Sequence, residues 1–136
     1  LPYLKTGIAD LTQLPFKDNS IESISCMHVV EHLGLGRYGD ALNPHADLLA
    51  INEIVRVVKP GGKIFFMVPI GKAKIVFNAH RIYSYDQIKN YFSDLRQEEF
   101  VLIPDNPKDG HLIKNPSAKL IDEQRIGCGC WIFIKP

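Results

Sequence analysis

Apolar residues at Leu48, Ile51, Val55 and Val58 recur at intervals of 3, 4 and 3, and Glu53 and Arg56 fall on the other side. That spacing predicts an amphipathic helix. Pro44 and Asp47 suit its first turn, and Pro60-Gly61-Gly62 suits its end. Residues 63–69 (KIFFMVP) then form a near-continuous apolar run, expected to be a strand buried on both faces of a parallel sheet. Before the helix, residues 21–27 (IESISCM) read as a strand with small side chains that leave room for a ligand at its end. Strand, helix and strand make a βαβ unit, expected to be right-handed. Downstream, Ser84 and Gln87 form a capping-box pattern ahead of Ile88, Tyr91, Phe92 and Leu95. Residues 100–103 (FVLI) and 127–134 (GCGCWIFI) predict two more strands, expected to be antiparallel because no convincing helix joins them. Residues 2–9 suggest a short strand closed by Asp10, and polar residues 105–124 a long loop, either a lid or a mobile connection. Residues 29–33 suit one or two helical turns that Gly34 stops, followed by a GLGRYGD loop.

A chain of 136 residues makes one domain, and 46% hydrophobic with 23% charged residues is a globular composition. A net charge of +1 without a Lys/Arg run argues against a nucleic-acid partner. The longest apolar run, residues 64–70, is far too short for a membrane span. Three cysteines fit a reduced, cytoplasmic compartment. Cys128 and Cys130 share one face of a strand, and buried strand cysteines are favoured there over a metal half-site, so no metal is assigned.

Residues 26–47 gather three histidines, Glu31, Arg37 and two aspartates around a glycine-rich loop, the kind of segment that carries catalytic groups. Around it stand Asp10, LPF (14–16), Asp18-Asn19-Ser20, HVVEHL (28–33) and EIVRVVKPGGKIFFMVP (53–69). This ordered block resembles the second half of a class I S-adenosylmethionine-dependent methyltransferase. Residues 31–48 and 77–84 (FNAHRIYS) resemble an uncharacterised branch of that superfamily, known as a Caenorhabditis protein of unknown function. The resemblance implies a Rossmann-like α/β sheet limited to the superfamily's C-terminal part. Its strands would run 4-5-7-6 with the last one antiparallel, and the N-terminal strands and glycine-rich loop would be missing. The strand at residues 21–27 would then have a bare edge, to be covered by an N-terminal segment or by a second subunit in a homo-oligomer.

The resemblance also implies S-adenosylmethionine as cofactor. Asp10 matches the residue that accepts the adenine amino group, and Leu11 the neighbour whose backbone N–H meets the adenine ring. Met27 and His28 match the strand end beside the methionine part. His28 is the first candidate general base, since histidines titrate near neutral pH, and Glu31 and His32 are the next catalytic candidates. Together they spell H-x-x-E-H, which also fits an inverted zinc-peptidase motif or a metal-assisted methyl transfer, or simply a set of loop-anchoring hydrogen bonds. Arg37 and Arg81 suit a fork for a phosphate or carboxylate on the acceptor. Tyr38, Asp40, Asn43, Asn78, His80 and Tyr83 suit a hydroxyl-rich acceptor such as a sugar or glycan precursor. An internal network of Arg37 with Asp40 or Asp47 is weighed equally. The expected function is methyl transfer to a small polar acceptor; the alternative is a catalytically inactive methyltransferase-like binding or assembly module.

Overall fold

The computed structural model describes residue 5 and residues 7–136. Most of the strand expected over residues 2–9 lies outside the described residues, and residues 7–9 have no regular structure. Strand β1 (Ile21–Met27) leads through a single 3-10 turn (Val30–His32) and a loop into α1 (Ala46–Val57), which feeds β2 (Val58–Ile70). A two-stranded ribbon of β3 (Lys74–Val76) and β4 (His80–Ile82) precedes α2 (Tyr85–Tyr91). Then come β5 (Arg96–Ile103), β6 (Ile113–Lys114), α3 (Ala118–Asp122) and β7 (Gly127–Ile134). The main sheet runs β1-β2-β7-β5-β6. β1 and β2 are parallel, whereas β7 is antiparallel to both β2 and β5.

This sheet corrects the expectation of a C-terminal remnant of strands 4-5-7-6 whose N-terminal strands are absent. It draws on both ends of the chain, β1 from the N-terminal portion and β7 from the C-terminal, and a fifth strand extends it. That strand, β6, came from the stretch expected to be loop: Ile113 and Lys114 pair with Leu102 and Val101. The same stretch holds α3, capped by Ser117 through Leu120 N–H.

β2 departs from the expectation of burial on both faces. Ile64, Phe66, Val68 and Ile70 are fully buried, but Phe65 and Met67 are only half-buried. The alternation is what an antiparallel neighbour on one side allows. The helix α1 is also rotated from its expected stripe. Asp47, Ala50, Ile51, Ile54 and Val57 are buried, while Leu48 and Val55 lie at the margin. A hydrophobic stripe omits a buried aspartate and a small alanine, and both belong to this face. Nor does Pro60-Gly61-Gly62 cap the helix. Val58 is already extended, and Gly61, with φ of 76°, turns the chain inside β2 and donates to Lys135 O at 2.8 Å.

The core joins α1 and α2 to the sheet through Phe66, Phe92, Trp131 and Phe133, with Phe92 stacked on Phe133 at 4.4 Å between ring centres. Arg56 ties α1 to the segment before β1. Its guanidinium donates to Leu14 O, Phe16 O, Asp18 and Glu53, and Glu53 in turn accepts the Leu14 N–H at 2.7 Å. The expected capping box is present, with Ser84 Oγ accepting from Gln87 N–H and Gln87 Oε1 accepting from Ser84 N–H.

Gly34 ends the 3-10 segment at φ of 71°, and a Cβ there would meet Asn43 O and stand 2.8 Å from the Ala46 Cβ. Gly34→Ala is therefore expected to destabilise the protein by about 1–3 kcal/mol, from backbone strain plus overpacking. Thermal unfolding measures it; an unchanged midpoint would contradict this account of the turn.

Candidate active site

His28 directly follows β1, and its backbone is left-handed, with φ of 55°. For a residue other than glycine this is uncommon and marks a position held by its surroundings. Its N–H donates to Met67 O at 2.9 Å, one rung beyond the end of the β1–β2 ladder. The turn aims the ring between two partners. Nδ1 lies 3.0 Å from Glu31 Oε1, and Nε2 lies 3.3 Å from Cys128 Sγ. A carboxylate only accepts, so Nδ1 carries the proton and Nε2 presents its lone pair. Glu31 is 1% exposed, and its Oε2 has no hydrogen-bond partner among the described residues. His32 adds a second imidazole: Nε2 stands 3.8 Å from Glu31 Oε1, while Nδ1 donates to Ala79 O at 2.7 Å. One buried carboxylate thus organises two histidines three and one residues away.

Cys128 lies 3.8 Å from Cys130, sulfur to sulfur. Their hydrogen bond, with burial adding to it, pushes Cys128 well above the usual thiol range; the same bond holds Cys130 below that range against the opposing effect of burial. Cys128 Sγ thus lies between the Cys130 sulfur and Nε2 of His28. Cys26 is pushed up to about 11, chiefly by burial.

The loop beyond is pinned from two sides. Asp40 accepts the N–H of Gly34 at 2.6 Å and of Tyr38 at 3.3 Å. Arg81, 4% exposed, donates to Leu33 O at 2.6 Å and to Pro44 O at 3.3 Å, and its Nε lies 3.4 Å from Asp47 Oδ2. Asp47 also accepts from the Tyr83 hydroxyl at 3.0 Å. Burial first, and then the Asp47 charge, drive the Tyr83 pKa far up. The internal arginine network expected around Asp47 thus exists, but Arg81 makes it rather than Arg37. Arg37 is exposed, 5.6 Å over the Tyr38 ring, so the two arginines form no fork here. Asn78 sits at the exposed tip of the β3–β4 ribbon, and the His80 ring stands 6.3 Å from His32, edge to face.

Asp10 borders the same loop. Its Oδ1 accepts from both the N–H and the hydroxyl of Thr12, which holds its carboxyl below the usual range. With Thr12, Leu33, Gly34 and Asn43 it lines a cavity of about 210 Å³. Leu11 is half-buried against the core, and Met27 is exposed at the end of β1.

Residues 13–95 match the model of the family described as "Caenorhabditis protein of unknown function, DUF268". This chain belongs to that family. An uncharacterised protein of Methanocaldococcus jannaschii is 32% identical over 79 residues, covering 55% of this chain and 29% of that one. Among solved structures, a SAM-dependent methyltransferase of Methanosarcina mazei superposes with a TM-score of 0.63 at 12% identity, over 95% of this chain and 66% of its own. The N-methyltransferase NodS of Bradyrhizobium japonicum, solved with S-adenosyl-L-homocysteine, gives 0.55 at 15%, over 94% and 52%. The [4+2]-cyclase SpnF gives 0.62 at 14%, over 96% and 56%. At these identities the likeness is one of fold, that of the SAM-dependent methyltransferases, and the cyclase shows that this fold hosts other chemistry. The chain spans under a third of the archaeal relative and little more than half of the cyclase.

For this member of the family, the structure brings His28, Glu31 and His32 together and sets Tyr38 near them, 5.9 Å from the His32 ring. Sequence reasoning missed Cys128 as a neighbour of His28, although its same-face pairing with Cys130 was visible. It also missed Lys74 and Arg125, which face a cavity described below. No helix among the described residues is long and apolar enough to cross a membrane.

Proposed function

We propose that this protein is a methyltransferase using S-adenosylmethionine and acting on a small polar acceptor, a sugar or glycan precursor, with His28 as general base. The observation that carries the reading is the Glu31–His28 contact of 3.0 Å at the carboxyl end of β1, where open α/β sheets bind their ligands. The residues present fit two ends of the cofactor. Asp10 Oδ2 accepts no hydrogen bond among the described residues and suits an adenine amino group, with the Leu11 N–H beside it. Met27 is exposed at the strand end and suits the methionine part. When bound, the cofactor supplies an electrophilic methyl group on a sulfonium.

His28 Nε2 takes the proton of the acceptor hydroxyl as it loses it, and Glu31 stabilises the imidazolium that forms. The acceptor displaces the Cys128 thiol from Nε2 to reach it. Positioning is worth more than the base: alignment supplies about 7–11 kcal/mol and general-base help roughly 3–5 kcal/mol. Arg37, Tyr38, Asp40, Asn78 and His80 supply acceptor contacts, and Arg81 acts on the acceptor through the loop it pins. A cytoplasmic setting, with all three cysteines reduced, goes with this chemistry.

Calorimetry with S-adenosylhomocysteine tests the reading. Saturable one-to-one binding that weakens in Asp10→Ala is expected. No heat at high micromolar ligand would retire the methyltransferase in favour of a binding module.

A further inference from the structure

We infer that the cavity between the β3–β4 ribbon and the segment entering β7 binds the phosphate group of an acceptor; calling that ligand the acceptor rests on the methyltransferase reading. The ribbon's register makes the case. Lys74 pairs with Ile82 and Val76 with His80, so these four share one face, while Ile75 and Arg81 take the other. Arg81 turns inward to Asp47, which commits Lys74 and His80 to the opposite side, where they line a cavity of about 770 Å³. That volume lies in the range of small-molecule sites.

The far wall adds a second cation. Asp105 Oδ2 accepts the N–H groups of Arg125 at 2.7 Å and of Ile126 at 3.2 Å, which fixes the chain there and engages the carboxylate with backbone. Neither the Arg125 guanidinium nor the Lys74 ammonium pairs with a carboxylate among the described residues. Asn106 accepts the Lys108 N–H through its Oδ1, leaving its amide N–H groups as further donors at the cavity wall. Two full cations, an imidazole and an amide therefore face one carboxylate. A dianionic phosphate meets that excess better than a single carboxylate does, and Arg125 presents the fork that phosphate oxygens accept.

The position also serves the reaction. His80 stands 6.3 Å from His32, ring centre to ring centre, and His32 shares Glu31 with His28. A phosphate held at Lys74 and Arg125 leaves the rest of a phosphorylated sugar to extend toward His28.

The test is a titration with pyrophosphate at constant ionic strength, followed by amide NMR shifts. Saturable shifts at residues 74–82, 105–106 and 125–126 are expected. The double variant Lys74→Gln/Arg125→Gln should bind at least tenfold more weakly, while Lys59→Gln, at the start of β2 where the lysine pairs with Glu22 of β1, should bind as wild type. Lys74 and Arg125 are exposed and Lys59 is only half-buried, so the variants should fold. Absence of saturable shifts, equal affinity in the double variant, or an equal loss in Lys59→Gln would overturn the inference. Citrate binding as tightly as pyrophosphate would overturn the assignment to phosphate. The same samples titrated with S-adenosylhomocysteine separate the two readings: pyrophosphate without nucleoside binding keeps the anion site and ends the methyltransferase, and the reverse ends the anion site alone.

Discussion

Arg81→Met is expected to destabilise the protein by about 3–5 kcal/mol, the range found when one partner of a buried ion pair is removed. The substitution leaves Asp47, 4% exposed, with the Tyr83 hydroxyl as its remaining side-chain partner among the described residues. It also strips the guanidinium from the carbonyls of Leu33 and Pro44, the two ends of the loop around the candidate site. A buried unpaired charge, not the lost attraction, dominates the cost. The double variant Arg81→Met/Asp47→Leu should therefore recover much of the loss. Urea unfolding of both variants measures this. A single variant within 1 kcal/mol of wild type, an effect of the size expected at roughly any surface site, would show that Arg81 is a surface side chain after all.

His28→Ala is expected to lower turnover roughly 10²–10⁴-fold, the usual contribution of a positioned general base, with S-adenosylhomocysteine binding retained. Glu31→Gln should cause a smaller loss, because the amide can still hold the ring but does not stabilise its positive charge. The two effects should be less than additive when combined, since both act through one imidazole. Equal turnover in His28→Ala, on a variant that still binds the nucleoside, would remove this histidine as the base.

How far the fold was legible follows from how local each signal is. Ser84 and Gln87 cap α2 within three residues, so their pattern sufficed. α1 was legible as an element but not in its rotation, because its buried face includes Asp47, whose partners Arg81 and Tyr83 lie on and beside β4. The β3–β4 ribbon gave no legible strand signal, though Lys74-Ile75-Val76 and His80-Arg81-Ile82 flank a tight turn with Asn78 at φ of 54°. Such three-residue strands carry too few alternations to stand out from a polar connection. The neighbourhood of His28 and Cys128 was out of reach altogether. It depends on β7 being placed between β2 and β5, so that Met67 meets both Met27 and Cys130 and Pro69 meets Cys128. No short-range pattern reports a pairing over a hundred residues.

The N–H of His28 rests on Met67 O, a strand carbonyl, and owes nothing to the glycine-rich stretch that follows. On the proposed reading, the base and the loop contacts to the acceptor are thereby held by separate parts of the fold. Exchanges between Gly36 and Asn43 should therefore leave the imidazole where the sheet puts it, so that on the proposed reading the acceptor contacts can change while the base stays in place.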